Sequence, residues 1–189
     1  MYLYTSDLHF GHRNVIGFDQ RPFSDVDEMD HCLMDYWNFR VRPDDTVYIV
    51  GDFCYRSEKS AAWYLRQLKG HKVLIQGNHD GALLKEEAAL SYFDDIQKMM
   101  HVTDGERNIC LCHFPIAEWN GYYHESWHIY GHIHNRKDET FEIMKKKKRA
   151  LNAGCMINGY VPVSFDELLK NNELFKENDA GRISDWSGK

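Results

Sequence analysis

Short apolar runs, each followed at once by polar residues, recur along the chain and predict β-strands. The runs MYLYT, TVYIV, KVLI, NICLC and WHIY contain many aromatic or β-branched side chains, as strands usually do. Glycine, proline or polar residues close each run. The polar residues therefore follow the carboxyl ends of the predicted strands, which is the sheet edge where ligands and catalytic groups collect in layered α/β proteins.

Between these runs, the apolar positions follow a helical period. SDVDEMDHCLMDYWNFR has its apolar residues at helical spacing, and Ser24 with Asp27 resembles a capping box at its start. A second helix is predicted from about 57 to 69, ending before Gly70. ALLKEEAAL predicts a short third helix, and SFDEL predicts the capped start of a final one.

From Ile96 onward the pattern returns to strands. QKMMHVT and ERNICLC flank Asp104–Gly105, which predicts a hairpin. A later pair of strands, ETFEIM and RALNAGC, is predicted with KKKKR at the turn between them. The order of elements predicts an α/β protein of four layers, in which two mixed β-sheets pack face to face and are flanked by helices. We expect one domain over residues 1–170 and a polar tail over 171–189.

Composition narrows the class of protein only slightly. The chain has 189 residues, 43% hydrophobic and 28% charged, which is typical of one globular domain. Its net charge of −6 gives no general support for nucleic-acid binding, and we interpret KKKKR as a solvated turn. No apolar run approaches the roughly 20 residues of a membrane span. The odd number of cysteines, the absence of a CxxC pair and an N-terminus unlike a signal peptide predict a cytoplasmic location with reduced thiols.

Polar side chains at five predicted strand ends provide the main functional signal. A single His or Asp in such a place is more often a hydrogen-bonded or capping residue than a ligand. Five such coincidences are much less expected, and nitrogen and oxygen donors of this kind suit divalent metals. They exceed the needs of one ion, so their number favours two ions that share a carboxylate. The candidate ligands are Asp7, His9, Asp52, Asn78, His113, His132 and His134.

Five motifs occur here in the order and approximate spacing of a known family. DxH at Asp7–His9, GD at Gly51–Asp52, GNHD at Gly77–Asp80, His113 and GHIH at Gly131–His134 resemble the motifs of the calcineurin-like metallophosphoesterases. GHRNVIGFDQRPF and WNGYYHESWHIYGHIH further resemble a compact bacterial and phage branch of that superfamily. The fourth motif reads CHFP where a Ser or Thr often precedes the His, but that position is not a ligand.

The resemblance implies the same four-layer fold and a division of the ligands. Asp7, His9 and His134 are expected to hold one ion, Asn78, His113 and His132 the other, and Asp52 both. The nitrogen and oxygen donors make Mn, Fe, Zn or Ni plausible. The implied reaction is hydrolysis of a phosphate ester by metal-activated water.

The GNHD motif supplies a candidate proton donor. His79 lies between Asn78 and Asp80 and is not needed as a ligand. We assign it as the general acid, with Asp80 orienting its ring and favouring the protonated form.

Selectivity for the substrate is expected from side chains outside the five motifs. The predicted partner is a small phosphorylated molecule, a phosphodiester or a nucleotide, and the alternative is a phosphomonoester. A nucleic-acid partner is not favoured, no membrane is expected, and the pattern sets no oligomeric state. The candidate substrate contacts are His12, Arg13, Asn14, Arg21, Arg56, Trp119, Asn120 and His124.

Three other interpretations use some of the same residues. HxH also begins the metallo-β-lactamase motif, but the continuation HIHNRKD lacks its Asp-His step. His79–Asp80 is compatible with an HD-type phosphohydrolase, but that site is built on helices and this dipeptide follows VLI. A non-catalytic scaffold of the same fold should have lost ligands or the His of GNHD, and all of them are present.

Overall fold

Two four-stranded sheets form the centre of the structure, a computed structural model that describes residues 1–178. The first sheet contains the parallel strands β1 (Tyr2–Thr5), β2 (Thr46–Ile49), β3 (His71–Ile75) and β4 (Asp95–Gln97), in that order. The second contains β5 (Met99–Asp104), β6 (Arg107–Cys112), β7 (Trp127–Tyr130) and β8 (Ala150–Asn152). Only the β5–β6 pair among the strand pairs of these two sheets is antiparallel.

Six α-helices lie between or after the strands of the described part of the chain. They are α1 (Arg13–Asp19), α2 (Val26–Arg40), α3 (Ala61–Leu65), α4 (Glu87–Leu90), α5 (Glu139–Lys145) and α6 (Phe165–Glu177). None of these helices has the length and apolar character that a membrane span requires. The five cysteines are unpaired, as predicted.

Alternation of side chains along the strands produces four layers. In β2, Val47 and Ile49 join the core formed with α2 and α3, whereas Tyr48, and Val50 just after the strand, join the core between the two sheets. Successive residues of a strand point to opposite faces, so both faces of this sheet are covered. On the outer face of the second sheet, α5 completes the fourth layer. The predicted α/β fold with two packed sheets and flanking helices is therefore confirmed, although the four strands of the first sheet are all parallel where a mixed sheet was expected.

The segment ETFEIM, which was predicted to be a strand, forms the helix α5. Asp138 caps it by accepting a hydrogen bond from the backbone N–H of Phe141 at 3.1 Å. Phe141 and Met144, three residues apart, are both buried, and this spacing places them on one helical face. KKKKR therefore lies between the end of a helix and β8, and the hairpin predicted there is wrong.

Several helix boundaries also differ from prediction. Asp25, one residue after the predicted Ser24, caps α2 by accepting from the backbone N–H of Glu28 at 2.8 Å. The helix expected from about 57 to 69 is only α3, and ALLKEEAAL is divided between a short 3₁₀ helix and α4. The short helix α1 was not predicted. The hairpin at Asp104–Gly105 and the capping box of Ser164 with Glu167 are confirmed.

The last helix extends into the segment predicted as a polar tail. Asn172 is 2% exposed. Its side chain accepts from the backbone N–H of Asn152 at 2.7 Å and donates to the carbonyl of Asn152 at 3.0 Å. Residues 171–177 are thus attached to β8, which corrects the predicted start of the tail. Residues 179–189 of that tail lie outside the described residues, and the assignment of a single domain stays a prediction.

We expect Asn172→Ala to lower the free energy of unfolding by about 1–3 kcal/mol, because the buried N–H of Asn152 loses its partner and its carbonyl keeps only the side chain of Asn158, at 3.4 Å. Glu173→Ala, at an exposed position of the same helix, is the matched control and should change it by less than about 0.5 kcal/mol. Denaturant unfolding followed by circular dichroism measures both. Equal effects of the two substitutions would show that Asn172 does not anchor α6.

Candidate metal centre

Left-handed backbone turns follow three of the five strands that carry the predicted ligands, β1, β2 and β7. In residues 1–178, nine non-glycine residues have positive φ, and five of these are predicted ligands. Such backbone costs on the order of 1–3 kcal/mol per residue and persists only where the surroundings enforce it, frequently at functional sites. The five are Asp7 (56°), His9 (52°), Asp52 (56°), His132 (70°) and His134 (54°).

Backbone hydrogen bonds join these turns to one another. Beyond the end of β1, the N–H of Asp7 donates to the carbonyl of Gly51 and the N–H of His9 donates to that of Asp52, both at 3.0 Å. The N–H of His132, from the second sheet, donates to the Asp7 carboxylate at 3.1 Å. The loops of the two sheets are therefore fixed against each other at the site.

Two glycines of the motifs permit this close approach. A Cβ atom on Gly77 would overlap the carboxylate of Asp52, and one on Gly51, whose φ is +89°, would overlap the ring of His113. The GD and GNHD motifs therefore both need their glycines for space, and the GD motif also needs Gly51 for its left-handed conformation.

Asp7, His9, Asp52 and His134 form the first ligand group. One ligand atom from each lies within 4.8 Å of all the others. His9 Nε2 is 3.2 Å from His134 Nε2 and 3.5 Å from Asp52 Oδ2, and His134 Nε2 is 3.6 Å from Asp7 Oδ1. Donors bound to one ion at about 2.0–2.2 Å have separations of this size.

Asn78, His113 and His132 form the second ligand group. Asn78 Oδ1 lies 2.9 Å from His113 Nε2 and 2.9 Å from His132 Nδ1. Asp52 Oδ2 is 3.5 Å from His113 Nε2, and the same oxygen is 3.5 Å from His9 Nε2 of the first group. Asp52 therefore has the position that a ligand shared by two ions requires.

The ionisation of these groups also fits a cation site. Burial raises the pKa of Asp52 to about 7; nearby His113 opposes this shift and the Asp7 carboxylate adds to it. Burial, followed by the neighbouring imidazoles, lowers the pKa of His9 well below its usual value and that of His132 to about 4. Neutral imidazoles are the forms that bind metals. A divalent cation would also neutralise the two buried carboxylates, so the donor set fits metal ions.

Hydrogen bonds behind the site fix the rings of two imidazoles. His113 Nδ1 donates to the carbonyl of Val50 at 2.8 Å, and His134 Nδ1 donates to the carboxylate of Asp19 at 2.8 Å. Each ring therefore keeps its Nε2 lone pair for the site. Asp19 was not among the predicted site residues, although it belongs to the stretch GHRNVIGFDQRPF that carried part of the resemblance.

The predicted role of Asp80 needs correction. Its buried carboxylate accepts hydrogen bonds from the backbone N–H groups of Asp52 at 3.0 Å, Phe53 at 2.9 Å and Gly77 at 2.7 Å. These bonds hold the loops after β2 and β3 together. Asp80 therefore positions the loops, and the expectation that it orients the ring of His79 is not supported.

His79 lies partly exposed at the rim of the site. Its backbone N–H donates to Asp52 Oδ1 at 2.8 Å, and its ring centroid is 4.1 Å from that of Tyr55 and 5.4 Å from that of His9. Burial lowers the pKa of His79, with Asp80 acting in the opposite direction. Asp80 thus favours the protonated form, as expected, but burial outweighs it and the net pKa of His79 is lowered.

The candidate substrate residues fall into three places. His12, Arg13, Asn14 and Arg56 line one cavity of about 250 Å³. The ring of His12 is 5.3 Å from that of His9, so this cavity adjoins the first ligand group. Asn120 and His124 line a different cavity of about 270 Å³ beside β5 and β6.

Arg21 and Trp119 are buried, so their prediction as substrate contacts needs correction. Arg21 donates to Asp19, and Trp119 Nε1 donates to Ser126 Oγ at 3.0 Å. The structure instead presents Phe114, which is 45% exposed and whose ring is 4.8 Å from that of His132. The only sequence signal for Phe114 was its place directly after a ligand, in CHFP.

This architecture, an α/β protein with two groups of candidate metal ligands at one edge of its paired sheets, has relatives among known proteins. No family model matches the chain. "Uncharacterized protein MJ1445" of Methanocaldococcus jannaschii is 32% identical over 167 residues, 87% of each chain. The chain belongs to the same family as MJ1445. The Gene 66 protein of Mycobacterium phage L5 is 41% identical over 81 residues, 41% of this chain and 39% of that one.

One solved structure gives the same picture of the fold. The "Protein of Unknown Function AQ665" from Aquifex aeolicus has a TM-score of 0.70 and 27% identity, and the match covers 90% of this chain and 98% of that one. Looser matches are the Pseudomonas putida nuclease MPE (TM-score 0.46, 18% identity, 70% and 60% covered) and the E. coli phosphoesterase YfcE (0.37, 15%, 81% and 77%). These two are too distant to carry an argument about function.

We expect Gly77→Ala to weaken metal binding, because the added methyl group overlaps the Asp52 carboxylate and lies 2.5 Å from its backbone nitrogen. The strain should also lower the free energy of unfolding by about 1–3 kcal/mol. Gly81→Ala is the matched control, since a Cβ there has nothing within 4 Å. Elemental analysis after dialysis against metal compares the two variants. Full metal content in Gly77→Ala would contradict the close packing of the two loops.

Proposed function

We propose that the chain is a metal-dependent phosphoesterase of the calcineurin-like metallophosphoesterase superfamily, with two divalent ions and with small phosphodiesters or nucleotides as substrates. The observation that carries the proposal is the position of Asp52 Oδ2, 3.5 Å from one imidazole of each ligand group. The ordered set of five motifs supports it, because each motif contributes at least one side chain to this arrangement.

The protein supplies a charge balance suited to an anionic substrate. Two of the seven candidate metal ligands, Asp7 and Asp52, are carboxylates. Asn78 contributes a neutral oxygen. Two divalent ions of Mn, Fe, Zn or Ni held there would lower the pKa of water and stabilise charge on a phosphoryl group. With only two carboxylates against two such ions, the site keeps a net positive charge that attracts phosphate.

His79 has the position of a proton donor. Its backbone is held by Asp52, and its ring stands beside the first ligand group without belonging to either group. An imidazole so placed can donate a proton to the oxygen of the leaving group. Tyr55 packs against the ring and takes the orienting role that the sequence analysis gave to Asp80.

Features on both sides of the site favour a diester over a monoester. Phe114 offers an exposed apolar ring beside His132 of the second group. The cavity lined by Arg13 and Arg56 adjoins the first group through His12. A phosphodiester carries one substituent for each of these places, whereas a monoester leaves one of them unused.

Turnover of bis(p-nitrophenyl) phosphate is therefore expected to exceed that of p-nitrophenyl phosphate. Because the ligand atoms cannot activate water without an ion, a chelator should abolish both activities and added Mn²⁺ should restore them. Steady-state kinetics on the two esters measures the preference. A faster monoesterase would refute the preference for diesters, and activity that resists the chelator would refute the metal-dependent mechanism.

Substitutions at Asp52 and His79 should have different consequences. Asp52→Asn removes the shared charge and should lower both metal content and activity. His79→Ala should keep both ions and slow hydrolysis by roughly 10²–10⁴-fold for esters with poorly departing alkoxide groups. The loss should be much smaller for nitrophenyl esters, whose leaving group departs without a proton. Loss of metal in His79→Ala, or an equal loss of rate for all leaving groups, would exclude its role as general acid.

A further inference from the structure

A carboxylate that lies outside both ligand groups is aimed at one of the ligands. Asp19, the last residue of α1, is 5% exposed. Its two oxygens lie 2.8 and 2.9 Å from His134 Nδ1. The Asp19 carboxylate can only accept a hydrogen bond, so the ring of His134 carries its proton on Nδ1. Nε2 of the same ring faces Asp7 and His9.

A buried arginine holds this carboxylate in place. Arg21 Nε and Nη2 donate to Asp19 Oδ2 at 3.0 and 2.9 Å. The same guanidinium donates to the carbonyl of Leu8 from Nη1 and to that of Asp7 from Nη2, both at 2.9 Å. One side chain thus connects the partner of His134 with the loop that carries Asp7 and His9. Two-point contacts of this kind fix geometry as well as charge.

The backbone around His134 has supports that do not involve the Asp19 carboxylate. The side chain of Asn152 donates to the carbonyl of His134 at 2.7 Å. The side chain of Asn135 donates to the backbone carbonyl of Asp19 at 3.0 Å. Removing the charge of Asp19 should therefore release the imidazole ring while the loop stays in place.

The two ligand groups differ in this respect. In the second group the ring of His113 is fixed by the neutral carbonyl of Val50. In the first group the ring of His134 has an anionic partner, which makes an imidazole a stronger donor to a metal ion. Of these two rings, only that of His134, in the first group, is held by a pair of charged residues, Asp19 and Arg21.

We infer that Asp19, held by Arg21, is a positioning residue that orients His134 and strengthens metal binding at the first ligand group selectively. This inference rests on the proposed pair of metal ions. It also gives Arg21 a role different from the substrate contact expected from the sequence.

The test is the affinity of each metal site in Asp19→Asn, measured by calorimetric titration of the metal-free protein with Mn²⁺. The amide retains the shape of the side chain but loses its charge. We expect affinity to fall by about 10–100-fold at one of the two sites, the usual effect of removing such a partner. Equal loss at both sites, or no loss at either, would overturn the inference.

The surface pair of Asp94 with His71 provides a matched control. Asp94 Oδ2 lies 2.9 Å from His71 Nδ1, and both side chains are 55% exposed. Asp94→Asn removes the same type of contact away from the ligands and should leave both affinities unchanged. If it weakened binding as much as Asp19→Asn does, the effect of Asp19 would be a general one of charge, and the inference would be wrong.

Two further titrations complete the design. In His113→Ala, where only the first group remains intact, adding Asp19→Asn should weaken the remaining site; an unchanged affinity would overturn the inference. If Asp19→Asn does not fold, Arg21→Lys, which keeps the charge but loses the two-point contact, should show a smaller loss at the same site. An unchanged affinity of that site in Arg21→Lys would also overturn the inference. Wild-type protein that binds no ion would refute the proposed function itself.

Discussion

The burial of two carboxylates among imidazoles is the constraint on which the rest of the structure depends. Asp7 and Asp52 are almost completely buried, and an ionised carboxylate in such a place costs several kcal/mol unless it is compensated. Backbone N–H groups compensate part of this charge, from His132 to Asp7 and from His79 to Asp52. The remaining charge is directed at the two groups of candidate ligands, where the proposed cations would complete the compensation.

The packing of two sheets serves to bring ligands from distant parts of the chain to one edge. β1, β2 and β3 deliver four of the predicted ligands, and β6 and β7 deliver the other three. Because the sheets share one apolar core, the distances between the two sets are set by close packing. The turns after the strands then direct the side chains inward, and the Asp80 carboxylate holds the turns after β2 and β3 together.

The motifs allowed the ligand cluster to be predicted because strand, turn and ligand are adjacent in sequence. The contacts that support the cluster could not be predicted in the same way. Asp80 bonds to loops 27 or 28 residues away, and Asp19 meets His134 across 115 residues. Arg21 was expected to contact the substrate, but it is buried and pairs with Asp19, two residues before it. ETFEIM has aromatic and β-branched residues typical of strands. It forms a helix because Asp138 caps it and because its buried residues, Phe141 and Met144, are three positions apart. The roles of the seven ligands and a cytoplasmic location stay predictions.

Anomalous diffraction from crystals grown with Mn²⁺ tests most directly the central claim that two ions share Asp52. The expected result is two anomalous peaks, one on each side of the Asp52 carboxylate, with His134 at the first and His113 at the second. Seven side chains around a single peak, or peaks away from these ligands, would contradict the claim.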